Sequence, residues 1–239
     1  MKFLGLLKYH FLCLLREPLN LFFGIAFPIL TMVLMPGSEE GATSMMFFAL
    51  PVIAVVAIMT LSFMDSAFSH AYSRQVKFLR RIRMTPVSSS TYIASGILSR
   101  FLAVLAFVAL STAVVGAMAD VSFADINWFL YLGVLTLVYI MFYLIAMVVA
   151  NLSKNAKKAQ ALLYVAFFGL LVLGGFMLPL QALPEVVQDI LRFLPPAFAS
   201  NLLSDAWLGN SIFEGWSFFA TVGSIVVFGL LSIKLFKYE

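Results

Sequence analysis

The sequence predicts an all-α membrane protein, with residues 1–239 forming a single transmembrane domain of six spanning helices. Of the 239 residues, 63% are hydrophobic and 11% are charged. Soluble domains contain about 45–50% apolar and about 25% charged residues. The charges lie between long apolar runs, and a helix needs roughly 20 apolar residues to cross a bilayer. Composition and charge spacing therefore both argue against a water-soluble fold.

Six apolar segments have the length of a membrane span. They run from about Leu19 to Met35, Ser44 to Phe68, Ile97 to Ala119, Trp128 to Ala150, Ala161 to Leu180 and Trp216 to Phe236. Pro179 and Pro184 are expected to end the fifth span, because proline lacks the N–H group that a continuing helix needs. Asp65 and Arg100 are the charged residues at span margins. We expect Asp65 near the cytoplasmic interface, capping a helix or pairing with a loop arginine.

The basic residues predict the orientation of these spans, since cytoplasmic loops are enriched in lysine and arginine. Three regions are basic: the N-terminus, the connection between the second and third spans, and the connection between the fourth and fifth spans. The other connections are mainly acidic. An even number of spans then predicts that both termini and the basic loops are cytoplasmic, in the plasma membrane of a bacterium or archaeon.

The residue types in the sequence argue against several functional classes. Cys13 is the single cysteine and His10 and His70 are the two histidines, so neither a disulfide nor a metal site is expected. No Gly-rich phosphate loop occurs, so no cofactor is expected in this chain and any ATP must be bound elsewhere. The net charge of +4 comes from clusters beside apolar runs, which indicates contact with lipid headgroups and not with nucleic acid. No catalytic group of residues stands out.

The N-terminal segment, Met1 to Glu17, predicts an amphipathic interface helix. Its apolar face includes Leu4 and Phe11, whereas Tyr9 and Cys13 fall on the other face. Internal charge and a terminal proline favour a helix lying in the cytoplasmic interface over a span. Such a helix either anchors the chain or also docks a partner, and its candidate contacts are Lys8, Phe11, Arg16 and Glu17.

The segment from Arg74 to Pro86 predicts a short amphipathic helix between the second and third spans. Arg74, Lys77 and Arg81 form one helical stripe, and Phe78 and Ile82 lie on another. Pro86 should end the helix. Its apolar face fits either lipid or a groove in a partner protein, and periodicity does not distinguish the two.

The connection from Met177 to Gly215 is too apolar for a simple loop. Two stretches, Glu185 to Phe193 and Ala197 to Leu208, have helical apolar spacing but are too short to span. They predict two outer re-entrant or interfacial helices. With four prolines around them, these helices are candidates for an outer gate; the prolines are Pro179, Pro184, Pro195 and Pro196.

Three motifs together resemble the permeases of type-2 ATP-binding-cassette exporters. They are an N-terminal helix ending in REP, the cytoplasmic segment LRRIRMTPVSSSTYIASGILSR and the outer segment FMLPLQALPEVVQDILRFLPPAFASNLL. The resemblance covers nearly the whole chain. Its most specific parts are Leu79 to Pro86 and Gly175 to Asn201.

The resemblance implies a subunit that is not itself an enzyme, with ATP and magnesium in a separate nucleotide-binding ATPase subunit. It also implies a second permease copy, in a homodimer or heterodimer, and spans 1, 2 and 5 beside the translocation route. The segment at Arg74 to Met84 would be the coupling helix that binds the ATPase. Its candidate contacts are Arg74, Gln75, Lys77, Phe78, Leu79, Arg80, Arg81, Ile82 and Arg83. Gln75 and Lys77 depart from the family pattern, in which a Glu and a Gly are frequent.

We therefore expect a permease subunit of an ATP-driven exporter. A route lined mainly by Phe, Leu, Met and Val side chains would suit an amphipathic or hydrophobic cargo, such as a drug, a peptide or a lipid. The alternative is a membrane anchor or sensor that recruits a cytoplasmic partner without transporting anything. An intramembrane enzyme is the third possibility. Association with an ATPase distinguishes the first from the others.

Overall fold

In the computed structural model, the described residues form helices and short connections. These residues are 2–15, 22, 39–76, 89–119, 123, 126–153, 155–176, 188–189 and 191–235. The helices are α1 (Lys2–Leu15), α2 (Glu39–Thr60), α3 (Ala67–Gln75), α4 (Ser89–Ala119), α5 (Trp128–Asn151), α6 (Ala156–Leu173), α7 (Pro195–Leu208) and α8 (Trp216–Leu235). No strand occurs within these ranges, which confirms the prediction of an all-helical fold.

Five helical stretches of the described chain are long and apolar enough to cross a membrane. They are Ala49–Gln75, Ala94–Val114, Trp128–Asn151, Ala156–Leu173 and Trp216–Leu235. These stretches match the predicted second to sixth spans. The predicted first span, Leu19 to Met35, lies outside the described residues apart from Phe22.

The second span is a continuous helix made of α2, a π-helical turn at Leu61–Ser66 and α3. It passes through Pro51 and continues beyond Phe68, the predicted end, to Gln75. Asp65 therefore lies ten residues before the end of the helix, and its position near the cytoplasmic interface stays a prediction. The apolar run gave too short a length for this helix, because the polar residues after Phe68 are still helical.

The fifth span also differs from its predicted bounds. Helix α6 begins at Ala156 and ends at Leu173, so the expectation that Pro179 and Pro184 end it is wrong. Gly175 adopts a φ of +80°, and the Phe176 N–H donates to the Leu171 carbonyl. This glycine-based C-terminal motif satisfies carbonyls that the helix end would otherwise leave unpaired.

The second span is the central element of the bundle. Of its most apolar 18-residue stretch, 89% is buried, compared with 6% for α8. Helices α4 and α5 pack against it, α1 packs on α4, and α8 packs on α5. We call the side where α3 ends and α6 begins the basic end, since Arg74, Lys157 and Lys158 lie there. Helix α7 packs at the opposite end, where α5 begins.

Candidate functional site at the basic end

Helix α1 lies against α4 through a close contact at Gly96. A Cβ atom at position 96 would lie 3.5 Å from Cε1 of His10 and 3.0 Å from Nη1 of Arg100. His10 is buried, although periodicity alone did not place it on the packed face of the predicted helix. Position 96 therefore has little room for a side chain beside the Arg100 guanidinium, and His10 of α1 lies at van der Waals distance from the same position.

A buried ion pair joins the second and third spans next to this contact. Arg100 Nε donates to Asp65 Oδ2, and Arg100 Nη1 donates to the Gly96 carbonyl over 3.1 Å. The Arg100 and Asp65 side chains are only 10% and 7% exposed. Asp65 lies in the π-helical turn, and such turns are frequent at functional sites. Its partner is an arginine within a span, so the expected loop arginine was wrong.

A small polar cleft lies beside the ion pair. Ser66, Ser69, His70 and Ser73 line it from the second span, and His10 and Tyr143 line it from α1 and α5. Its volume is about 30 Å³, which is enough to hold at least one water molecule. This cleft can hold water, but it is too small for a transported drug or lipid.

The end of α3 is fastened to the turn between α5 and α6, in a contact that we call the basic-end staple. Arg74 Nη1 donates to Asn151 Oδ1 over 2.9 Å, and Arg74 Nη2 donates to the Ser153 carbonyl. The Gln75 Oε1 atom accepts a 2.6 Å hydrogen bond from the Ala156 N–H. The staple therefore joins the connections that follow the second and fourth spans.

The structure describes two of the nine predicted coupling-helix contacts. These two, Arg74 and Gln75, are the last residues of α3 and belong to the staple. The other seven lie outside the described residues; they are Lys77, Phe78, Leu79, Arg80, Arg81, Ile82 and Arg83. Their role in binding a partner stays a prediction.

The structure describes two of the four predicted interface-helix contacts, Lys8 and Phe11. Lys8 is exposed, and Phe11 is half-buried and packs against the core. Arg16 and Glu17 lie outside the described residues. Leu4, which was predicted on the apolar face with Phe11, is 69% exposed. Helix α1 thus has one face on the protein and a second, partly apolar face that the described residues leave uncovered.

At the opposite end, α7 begins with two of the predicted gate residues, Pro195 and Pro196. The other two, Pro179 and Pro184, lie outside the described residues, as do four of the nine residues from Glu185 to Phe193. With 14 residues, α7 is about 21 Å long at 1.5 Å per residue, which is too short for a span. Its predicted insertion into the bilayer stays a prediction.

Two contacts hold α7 in place. A Cβ atom at Gly174 would lie 2.7 Å from Cβ of Pro196, so the end of α6 touches the start of α7. Trp207 is buried, and its ring centroid lies 5.1 Å from that of Tyr131 and 5.8 Å from that of Trp128. Sequence reasoning missed this aromatic cluster, although Trp128 marks the start of a predicted span.

No group of three or more His, Cys, Asp or Glu side chains in the described ranges is placed to hold a metal ion. The titratable residues at the basic end instead form the Asp65–Arg100 pair and line the polar cleft. Their arrangement joins helices and holds them in register. The arrangement therefore links the spans mechanically.

The comparisons with known proteins agree with a transport role for such a bundle. No curated protein sequence matches the chain significantly. A family model described as "ABC-2 family transporter protein" matches residues 21–234, which include all five described spans and the basic end. This match covers most of the chain and shows the family. The chain is therefore a multi-pass membrane protein that belongs to the ABC-2 transporter family, as a permease subunit of that type.

Proposed function

We propose that this permease subunit works in an ATP-driven exporter and moves an amphipathic or hydrophobic cargo out of the cell. A drug, a peptide or a lipid fits this description. ATP and Mg²⁺ are bound by a separate nucleotide-binding subunit, and a second permease copy, identical or different, completes the transport unit. Membership of the ABC-2 transporter family is the observation that carries the proposal.

The charge distribution supports a cytoplasmic position for the basic end. Arg74, Lys157 and Lys158 lie there, and residues 77–83 between α3 and α4 add four basic side chains, Lys77, Arg80, Arg81 and Arg83. Positive charge near span ends favours the cytoplasmic side. An ATPase subunit is cytoplasmic, so the segment that we propose as its docking site faces it.

The packing of the second span supports a mechanical mechanism. This helix leads directly into residues 77–83, and 89% of its most apolar stretch is buried. Because protein interiors are close-packed, such a helix cannot move without repacking its neighbours. ATP-driven closure of the partner subunits would therefore switch the whole bundle between two arrangements, inward-open and outward-open.

The charges of the described spans support the proposed cargo class. Asp65 and Arg100, the charged residues away from the ends of these spans, are paired with each other. The cleft beside them holds only about 30 Å³. A strongly charged cargo would need unpaired charges along its route. An apolar or amphipathic cargo needs none.

The test is purification of the chain from its native membrane with its bound neighbours, followed by reconstitution into lipid vesicles. We expect an ATPase subunit to co-purify and vanadate-sensitive ATP hydrolysis to be faster with the permease than without it. A membrane anchor would give a partner without ATPase activity. An intramembrane enzyme would give a chemically altered lipid or peptide.

A charge-reversal variant tests the docking segment itself. Lys77→Glu combined with Arg81→Glu should abolish most of the permease-stimulated ATP hydrolysis if these residues face an acidic groove of the ATPase. Lys234→Glu, near the end of α8, is the matched control and should keep normal stimulation. Normal stimulation and transport in the double variant would contradict this docking site.

A further inference from the structure

The basic-end staple places two functional connections of the chain in direct contact. Arg74 and Gln75 are the last residues of α3, immediately before residues 77–83. Their partners Asn151, Ser153 and Ala156 form the turn that ends α5 and begins α6. A displacement of residues 77–83 therefore has a direct hydrogen-bonded route to the start of α6, in addition to the packing of α3 against α6.

The chemistry of the staple suits the transmission of force. The guanidinium of Arg74 uses two of its nitrogens on two different acceptors, Asn151 Oδ1 and the Ser153 carbonyl. This fork is planar and fixes direction as well as distance. Gln75 binds the first N–H of α6, one of four backbone donors that a helix start leaves without an intrahelical partner.

We infer that Arg74 and Gln75 are positioning residues that couple the docking segment to the fifth span, so that one ATP-driven movement drives both the second span and α6. This inference rests on the proposed function, because it requires an ATPase that acts on residues 77–83. It assigns Arg74 and Gln75 a role within the chain in addition to any contact with the partner subunit.

Two features of α6 make it a suitable recipient of this movement. The helix is much less enclosed than the second span, since 28% of its most apolar stretch is buried, compared with 89%. Its other end touches the start of α7 at Gly174 and Pro196. A shift of α6 at the basic end would therefore also move the contact that holds α7 at the opposite end.

The experiment measures movement of α6 and of α4 separately in the complex with its ATPase subunit, in lipid nanodiscs. Cys13 is replaced by serine. One labelled protein carries spin labels at two exposed positions, Val165 on α6 and Val226 on α8. A second labelled protein carries them at Leu98 on α4 and Val226 on α8. Labelled permease is mixed with an excess of unlabelled permease, so that most complexes carry spin labels on one copy only. Pulsed electron resonance gives each distance before and after trapping with ATP and vanadate.

Two variants break the staple from opposite sides. Arg74→Met with Gln75→Met removes the donors and the acceptor on α3, whereas Asn151→Leu removes an acceptor on α5 and leaves the predicted docking contacts unchanged. We expect both variants to lose more than half of the ATP-dependent change in the 165–226 distance and to keep the change in the 98–226 distance. Arg192→Gln, in an exposed pair with Asp189 at the opposite end, should change neither.

A covalent link between α3 and the turn before α6 should restore the movement of α6. A role in stability alone would not predict this rescue. In the Asn151→Leu background, Gln75→Cys and Asn155→Cys place thiols on exposed residues of α3 and the turn. The labels at positions 165 and 226 are here carried by ketone-bearing unnatural amino acids, so that a short bifunctional thiol reagent joins only residues 75 and 155. This link should restore the 165–226 change. The uncoupled thiol pair should behave like the staple variants, and co-purification of the ATPase should be normal in all of them.

The outcomes separate this inference from the proposed function. If the unmodified complex contains no ATPase, or shows no distance change on trapping, the proposed function fails and the coupling role fails with it. If the unmodified complex moves and the staple variants retain the full 165–226 change, the coupling role alone is overturned. Loss of movement in the Arg74 variant but not in Asn151→Leu also overturns it, because the effect then comes from the partner contact.

Discussion

Arg100 in the third span and Asp65 in the π-helical turn of the second span form an ion pair that is almost fully buried. Arg100 also donates to the carbonyl of Gly96, the residue against which His10 of α1 packs. The pair therefore connects three elements at the basic end: the interface helix and two spans. Buried charges are costly, so each partner depends on the other.

The first prediction concerns removal of one partner of this pair. Asp65→Leu should lower the free energy of unfolding by about 3–5 kcal/mol, because it leaves the Arg100 charge buried and unpaired. Asp65→Leu combined with Arg100→Met should recover most of that loss, since apolar groups can replace a buried pair. Thermal unfolding of the three proteins in the same detergent measures both effects. A double variant as unstable as Asp65→Leu would contradict the account.

The second prediction concerns the close contact between α1 and α4. Gly96→Val should detach α1, because even a Cβ atom there would lie 3.0 Å from Arg100 Nη1 and 3.5 Å from His10 Cε1. We expect backbone hydrogen exchange in residues 2–15 to become at least ~10-fold faster as this helix opens more often. Gly133→Val is the matched control, since a Cβ atom there meets nothing within 4 Å. Equal exchange in the two variants would show that Gly96 does not hold α1.

Much of this fold could be predicted from the sequence, because apolar length reports directly on membrane spans. The fourth and sixth spans begin at Trp128 and Trp216 in the structure, as predicted. The end of the fifth span could not be read from apolar length, since the run continues past Gly174 and Gly175 to Leu180. The two glycines were the available signal, because glycine commonly ends helices.

The candidate site was harder to predict, because it depends on contacts between distant residues. Asp65 and Arg100 were noted as charges in or beside spans, but their pairing depends on the register between two helices. Arg74 and Gln75 were predicted as partner contacts, and nothing in their own segment indicates Asn151 or Ala156. Periodicity identifies the faces of single helices and gives no register between them.

The third prediction concerns the staple residue Asn151. Its Oδ1 accepts from Arg74, while its buried Nδ2 has no hydrogen-bond partner within the described chain. Asn151→Asp keeps an acceptor, removes that unpaired donor and adds a charge opposite Arg74. The bond already has a charged donor, so the gain comes from attraction between the new carboxylate and Arg74 and from removal of the unpaired Nδ2. We expect stability to rise by about 1 kcal/mol at neutral pH.

Thermal unfolding with and without Arg74→Met measures this gain. The increase from Asn151→Asp should disappear when Arg74 is absent, because the new carboxylate then has no guanidinium beside it. In that background we expect Asn151→Asp to be neutral or destabilising. An equal increase in both backgrounds would mean that the carboxylate acts through another contact.

The fourth prediction compares two glycines of the fifth span and its end. At Gly174 an added Cβ would lie 2.7 Å from both the Leu170 carbonyl oxygen and Cβ of Pro196. Gly174→Ala should therefore cost about 1–3 kcal/mol, as overpacking in a close-packed region does. At Gly169 nothing lies within 4 Å of an added Cβ, and Gly169→Ala should be neutral or stabilising by up to ~1 kcal/mol from helix propensity.

Thermal unfolding of the two variants gives the difference in sign, and thiol labelling shows where Gly174→Ala acts. The overpacked contact lies between the end of α6 and the start of α7, so the loss should appear as weaker docking of α7. In a Cys13→Ser background, Ala206→Cys, at a fully buried position of that helix, should react faster with Gly174→Ala than with Gly169→Ala. If labelling is the same in both, the strain at Gly174 is relieved within α6, and α7 does not depend on this contact.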